Sequence, residues 1–179
     1  NVINLTGGVP KEGLALAHRL RVDTAANRIE SEIEIKEYTI VRKIFPQKKS
    51  IYNSLMVVNA KGDGIGTNLF LNQVVEARKL GFEKLTVSAA RSDHYNGYYT
   101  WARMGYGMDP SEQPKFANLM KANKRSETSL TELMTTEEGR KFWKEKGFWF
   151  EGEFDLKDGS ENLKALKRYL AEKGLDRDL

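Results

Sequence analysis

The residues with the clearest chemical potential are Lys61-Gly62-Asp63-Gly64-Ile65-Gly66-Thr67, with three glycines at every second position. Glycine lets a backbone turn sharply, and successive N–H groups of such a turn converge on one concavity. The dipole of a following helix adds positive potential there. The matching ligand is a phosphate or pyrophosphate, although a tight turn that merely needs glycine has the same composition. Two nucleotide motifs fail on spacing. A Walker loop needs lysine and then serine or threonine after its last glycine, but Gly66 is followed by Thr67-Asn68. A dinucleotide fingerprint needs glycine at the third place of G-x-G-x-x-G, and Thr67 stands there. The chain has no cysteine and only two histidines, His18 and His94. Thiolate zinc sites, iron-sulfur clusters, disulfides and cysteine nucleophiles are thereby excluded, a histidine-rich metal centre is disfavoured, and no metal is expected.

The elements that must position this turn follow from hydrophobic period. Residues 14–22 alternate strictly and read as a strand. After a turn at residues 24–27, Ile29, Ser31, Ile33 and Ile35 face one way and Glu30, Glu32, Glu34 and Lys36 the other, which predicts a hairpin. The parity breaks near Glu37-Tyr38, so the stretch to Phe45 is either one long bulged strand or two successive strands. Residues 51–58 form the next strand, and the unbroken aliphatic run 55–58 predicts a central place buried on both faces. From Thr67 the period becomes helical and stops at Gly81; residues 84–90 are again a strand. A short helix is expected from Asn96 to Gly105, helices over 113–122 and 135–146 with Thr135 and Glu138 as a capping box, a strand over 148–156, and a last helix capped by Ser160 and closed at Gly174.

The glycine turn, read with its flanking elements, resembles the GNAT acyltransferase superfamily. That family's cofactor motif is Arg or Gln, two residues, Gly, any residue, then Gly or Ala; residues 61–66 match with lysine at the first place. The strand before, the helix after and the strand 84–90 fall where the motif puts them, and Gly105-Tyr106 looks like the Gly-aromatic pair of the second motif. The resemblance covers residues 51–107. It implies an α+β fold with a mixed, mostly antiparallel central sheet, a βαβ cofactor unit, a helical insertion before the last strand and a C-terminal helix. The whole is expected as one domain over 1–179, with N-terminal strands (1–59), cofactor motifs (60–107), insertion (108–147) and final strand and helix (148–179). It further implies acetyl-CoA or another acyl-CoA as cosubstrate. The pyrophosphate would lie on Lys61, Gly62, Asp63, Gly64, Ile65, Gly66 and Thr67, and the pantetheine would pair like an added strand with Val57, Val58 and Asn59.

The implied reaction is N-acyl transfer, expected as acetyl transfer, by direct attack of an amine on the thioester. The amine could belong to a small molecule, a peptide or a protein. The leaving thiolate needs a proton. The family commonly keeps a tyrosine four residues before the glycine of its Gly-aromatic pair, and here that place is Trp101, whose indole donates a hydrogen bond but is no acid near neutral pH. Trp101 is therefore expected against the cofactor, and Tyr98 and Tyr99, one turn earlier, are the substitutes. His94 is the candidate base by its unperturbed pKa; Asp93, Glu30, Glu32, Glu34, Glu151 and Glu153 are the carboxylates to weigh beside it, and a relay through water needs none of them. The alternative reading is a non-catalytic CoA-binding or protein-interaction domain of a larger protein.

Composition frames these readings. The 179 residues carry 29 lysines and arginines against 25 acids, a net charge of +4, interleaved along the chain. That balance weighs against nucleic acid as the main partner. No apolar run approaches the ~20 residues of a membrane-spanning helix. With no leader visible, a cytoplasmic setting is expected, although Asn1 in place of methionine points to a trimmed start.

Overall fold

The computed structural model describes residues 17–59 and 64–175. It is an α+β protein with seven strands and six helices among those residues. The chain divides into two compact units between Leu85 and Thr86.

The first unit is an antiparallel meander, β1 (Ala17–Asp23), β2 (Arg28–Glu34), β3 (Tyr38–Phe45) and β4 (Ser50–Val58), in that spatial order, followed by α1 (Ile65–Lys79). The β1–β2 hairpin closes where expected: Asp23 accepts from the Ala26 N–H and pairs with Arg28, while Asn27 takes a left-handed φ of 45°. The broken parity at Glu37 is a tight turn between two strands, closed by the Ile35 N–H on the Tyr38 carbonyl at 3.0 Å. The bulge lies elsewhere. Val41 faces Leu55 and Arg42 faces Asn53, so Ser54 is an extra residue in β4.

A one-residue slip exchanges the faces of everything that follows. Ile51 and Asn53 are buried before the bulge; after it Met56 and Val58 pack on the cluster of Ile33, Ile35, Tyr38, Ile40 and Leu69. The run 55–58 is half-buried throughout and not enclosed on both faces as its composition predicts. Consecutive aliphatic residues must point to opposite sides of a strand, and the side carrying Leu55 and Val57 remains partly open.

Helix α1 buries Leu69, Phe70, Val74 and Ala77. It ends in a Schellman arrangement: the Phe82 N–H bonds the Ala77 carbonyl, the Gly81 N–H bonds that of Arg78, and Gly81 supplies the required φ of 77°. One buried polar contact crosses this unit. Asn53 Oδ1 accepts from Arg42 Nε at 2.9 Å and from Gln73 Nε2 at 3.0 Å, all three residues being almost fully enclosed. Burial of a guanidinium is tolerated only with such partners.

The second unit holds β5 (Lys84–Ala89) from Thr86 onward, α2 (Gly97–Arg103), β6 (Gly107–Met108), α3 (Gln113–Ala122), α4 (Leu130–Leu133), α5 (Glu137–Lys146), β7 (Phe150–Asp155) and α6 (Glu161–Glu172). Its strand order is β5-β7-β6. The core is aromatic: Trp143 has no exposed surface and meets Phe148, Phe150, Phe116 and Tyr98 at ring distances of 5.3 to 6.5 Å. Its indole N–H donates to the Tyr98 carbonyl at 3.0 Å.

Two local details differ from the sequence expectation. The residue capping α5 is Thr136, whose hydroxyl accepts from the Gly139 N–H. Thr135 instead donates to the Glu132 carbonyl and closes α4, a four-residue helix capped by Ser129. The last helix begins and ends as its residues dictate. Ser160 Oγ accepts from the Leu163 N–H, and the Gly174 and Leu175 N–H groups bond the Ala171 and Leu170 carbonyls. No helix among the described residues is long and apolar enough to cross a membrane.

Candidate functional site

In the first unit the candidate residues surround the passage from β4 into α1. Val57 and Val58 pair with Thr39 and Tyr38 of β3. Asn59 is fastened to the preceding turn, its N–H on the Glu37 carbonyl at 2.7 Å and its side-chain amide on the Lys36 carbonyl at 2.9 Å. The end of β4 is thus held in place by strand pairing and two further bonds. Lys61, Gly62 and Asp63 lie outside the described residues.

Gly64 stands at the N-cap of α1 with φ 70°, a left-handed conformation that glycine adopts without strain. No side chain caps the helix and no acid occupies its first turn. The N–H groups of Ile65 and Gly66 have no acceptor within the helix, and among the described residues no acid stands in the first turn to offset the dipole. Among the described residues a Cβ on Gly64 would meet only Asn68 Nδ2, at 3.9 Å. Gly66 lies against β4: a Cβ there would touch Val58 Cγ2 at 3.5 Å, and Ile65 packs with Val58 and Met56 on the core.

Sequence reasoning passed over two residues here. Asn68 Oδ1 is buried with no hydrogen-bond partner among the described residues. Tyr38, opposite Val58, is almost fully buried, and that burial pushes its phenol above the usual tyrosine range despite the nearby Arg42 charge. Neither has a spacing signature; Tyr38 becomes legible once β3 and β4 are paired, and Asn68 once α1 is in place.

In the second unit the candidates stand on α2 and the turn before it. His94 is exposed, its N–H directed at Ser92 Oγ at 3.3 Å, and Asp93 beside it is exposed as well. Tyr98 is buried and its hydroxyl donates to the Lys144 carbonyl at 2.7 Å, while the Arg91 guanidinium sits 4.8 Å from its ring. Tyr99 is half-buried, with Lys144 Nζ 6.0 Å from its ring centroid. Trp101 is 7% exposed.

The stop of α2 explains Trp101 and the Gly105-Tyr106 pair together. The Tyr106 N–H bonds the Trp101 carbonyl and the Gly105 N–H that of Ala102, a Schellman motif with Gly105 at φ 99°. Such stops bring the residue after the glycine onto the last helical turn, and Tyr106 meets Trp101 edge-on at 5.1 Å. A Cβ on Gly105 would also lie 2.7 Å from the Asn162 carbonyl oxygen. Helix α2 is anchored further by Arg103, which donates to Glu172 at 2.7 Å; that bond is the main reason the Glu172 carboxyl is held below the usual range.

The carboxylates considered as bases have plain surroundings. Glu32 pairs with Arg19 at 3.3 Å and Glu30 with Arg21 at 3.9 Å, and Glu34 is exposed. Glu151 and Glu153 are half-buried on β7. No cluster of three potential ligand residues able to hold a metal occurs among the described residues. The chain matches no family model, and neither the curated proteins nor the solved structures contain a match to it.

Proposed function

We propose that this chain is an N-acyltransferase of the GNAT kind, using acetyl-CoA or another acyl-CoA to acylate an amine. The observation that carries the reading is the passage from β4 to α1. It combines a strand with a half-buried aliphatic end, a left-handed glycine, and a helix whose first turn, among the described residues, holds neither an acid nor a capping side chain. Open N–H groups there suit the pyrophosphate. The half-buried end of β4 at 55–58 is where an extended pantetheine arm would lie, and the bulge at Ser54 is the kind of feature that re-aims a strand beside a site. The cofactor supplies the activated thioester; the chain's part is to hold it and to let an uncharged amine reach the carbonyl carbon.

For the proton taken up by the leaving thiolate, Tyr99 is the stronger of the two tyrosine candidates. The Tyr98 hydroxyl is already donated to the Lys144 carbonyl. We expect Tyr99→Phe to lower kcat by about 10²-fold, the scale of general acid catalysis, and Tyr98→Phe to lower thermal stability with little change in kcat. Steady-state thiol release at several pH values separates them; equal kcat in wild type and Tyr99→Phe assigns the proton to solvent or another group.

A second reading has its own support. Tyr98 and Trp101 both have structural duties in α2, the arrangement expected of a domain that binds acyl-CoA without turnover. The test is thiol release from acetyl-CoA with a panel of small amines, polyamines and lysine-containing or N-terminal peptides. Release above the hydrolytic background with any amine supports the transferase; binding without release from any of them supports the second reading.

A further inference from the structure

The outer strand of the meander carries a charge pattern that its present neighbours leave half-used. Strand β1 is outermost in the first unit among the described residues, and its inner edge is paired with β2 from Ala17↔Glu34 to Asp23↔Arg28. Alternation sends His18, Leu20 and Val22 to one face and Arg19 and Arg21 to the other. The first three stand opposite Ile33, Ser31 and Ile29, continuing the core face of the sheet. There they are open to solvent, Leu20 at 51% and Val22 at 67%.

On the other face the charges run in alternating columns. Arg21 stands opposite Glu30, which stands opposite Lys43; Arg19 stands opposite Glu32. The arginine side chains remain 67% and 80% exposed after meeting those glutamates, at 3.3 and 3.9 Å. Each guanidinium has five donors, so a second carboxylate can be received on the outer side. The edge contains neither proline nor glycine, and among the described residues the outward N–H and C=O groups of β1 have no strand paired to them.

We infer that this edge binds an extended acidic peptide as an added strand. The occupant has apolar side chains at alternate positions, which cover Leu20 and Val22, and glutamate or aspartate between them, which extend the columns to acid–arginine–acid. Main-chain bonds supply binding and the charge column selects the sequence. A second copy of β1 suits the edge less well: antiparallel pairing centred on Leu20 or Arg21 sets arginine against arginine, and pairing centred on Val22 gives Arg21 an acid, Asp23, but runs Arg19 past the end of the partner strand.

The chain's own β2 shows the pattern that fits. The probe is a capped, fluorescein-labelled peptide Ile-Glu-Ser-Glu-Ile-Glu-Ile, with the same peptide carrying lysine for glutamate as control. Titration of the full chain, followed by fluorescence anisotropy, is expected to give saturable binding of the acidic peptide. The lysine peptide should bind at least tenfold more weakly, and affinity should fall as sodium chloride rises from 50 to 500 mM. Arg19→Gln with Arg21→Gln should weaken the acidic peptide about tenfold; because these changes also loosen β1 from β2, amide chemical shifts of the wild type provide the second readout, with changes concentrated at residues 17–23. N-methylation of alternate peptide amides in either phase should abolish binding in one phase only. Equal affinity for both peptides, no binding, or shift changes mapping elsewhere overturns the inference. So does a concentration-dependent dimer in sedimentation that the acidic peptide does not dissociate, which would give the edge to a second copy.

Discussion

Gly64→Glu is expected to weaken acetyl-CoA binding by at least 100-fold, about 2.7 kcal/mol, while the domain stays folded. Among the described residues a Cβ at this position meets only the Asn68 amide, at 3.9 Å, so backbone strain and not a clash sets the cost to folding. The left-handed φ of 70° adds about 1–2 kcal/mol for a residue other than glycine. A carboxylate at a helix start interacts well with the dipole and recovers part of that. The same carboxylate would occupy the position assigned to the pyrophosphate and repel it. Gly64→Asn is the control, since asparagine adopts left-handed backbone readily and brings no charge; its affinity should stay near wild type. Calorimetric titration of both variants, with melting followed by circular dichroism, checks the pair. Glutamate and wild type binding within threefold of each other would remove the anion from this turn.

The largest effect on stability is expected at Trp143. Truncation to alanine empties a site ringed by Phe116, Phe148, Phe150 and Tyr98 and leaves the Tyr98 carbonyl without its indole donor. Loss of a buried tryptophan costs about 3–5 kcal/mol, and for a chain of this length the melting midpoint should drop by about 10 °C or more. Trp143→Phe keeps much of the packing and should lie between the two. Chemical denaturation measures the difference; a loss under 1 kcal/mol would mean that the aromatic cluster relaxes around the gap. The substitution also bears on α2, because the Trp143 indole bonds the backbone of the helix that displays Tyr99.

Much of the element order was legible because local chemistry decides it. The Thr24–Asn27 turn region, the Ser160 cap and the glycines after α1, α2 and α6 act within a few residues of themselves, and each appears where its residues put it. What the sequence hid depends on contacts distant along the chain. The apolar composition of 55–58 says nothing of the extra residue at Ser54, which is defined only against Val41 and Arg42 of the neighbouring strand. The commitment of the Tyr98 hydroxyl is to a carbonyl 46 positions later. Arg42, enclosed by Asn53 and Gln73, reads in sequence as one more cation in a strand. Helix α4 is too short to show a period, and Thr135 and Thr136 are equally good caps until the Glu132 carbonyl claims the first.

The candidate site divides in the same way. The glycine-rich turn announced itself by composition, and its described end has the backbone that such composition serves. The Gly105-Tyr106 pair has a structural duty that accounts for it without reference to a ligand. A left-handed stop at Gly105 and an aromatic contact from Tyr106 back to Trp101 are what a Schellman ending requires.

The measurement closest to the central claim is isothermal titration calorimetry of acetyl-CoA into the purified chain, paired with melting at increasing cofactor. One saturable site is expected, with a midpoint that climbs with concentration as RT ln(1 + [L]/Kd) requires. Absence of heat and an unchanged midpoint at saturating acetyl-CoA, for a folded sample, would contradict it.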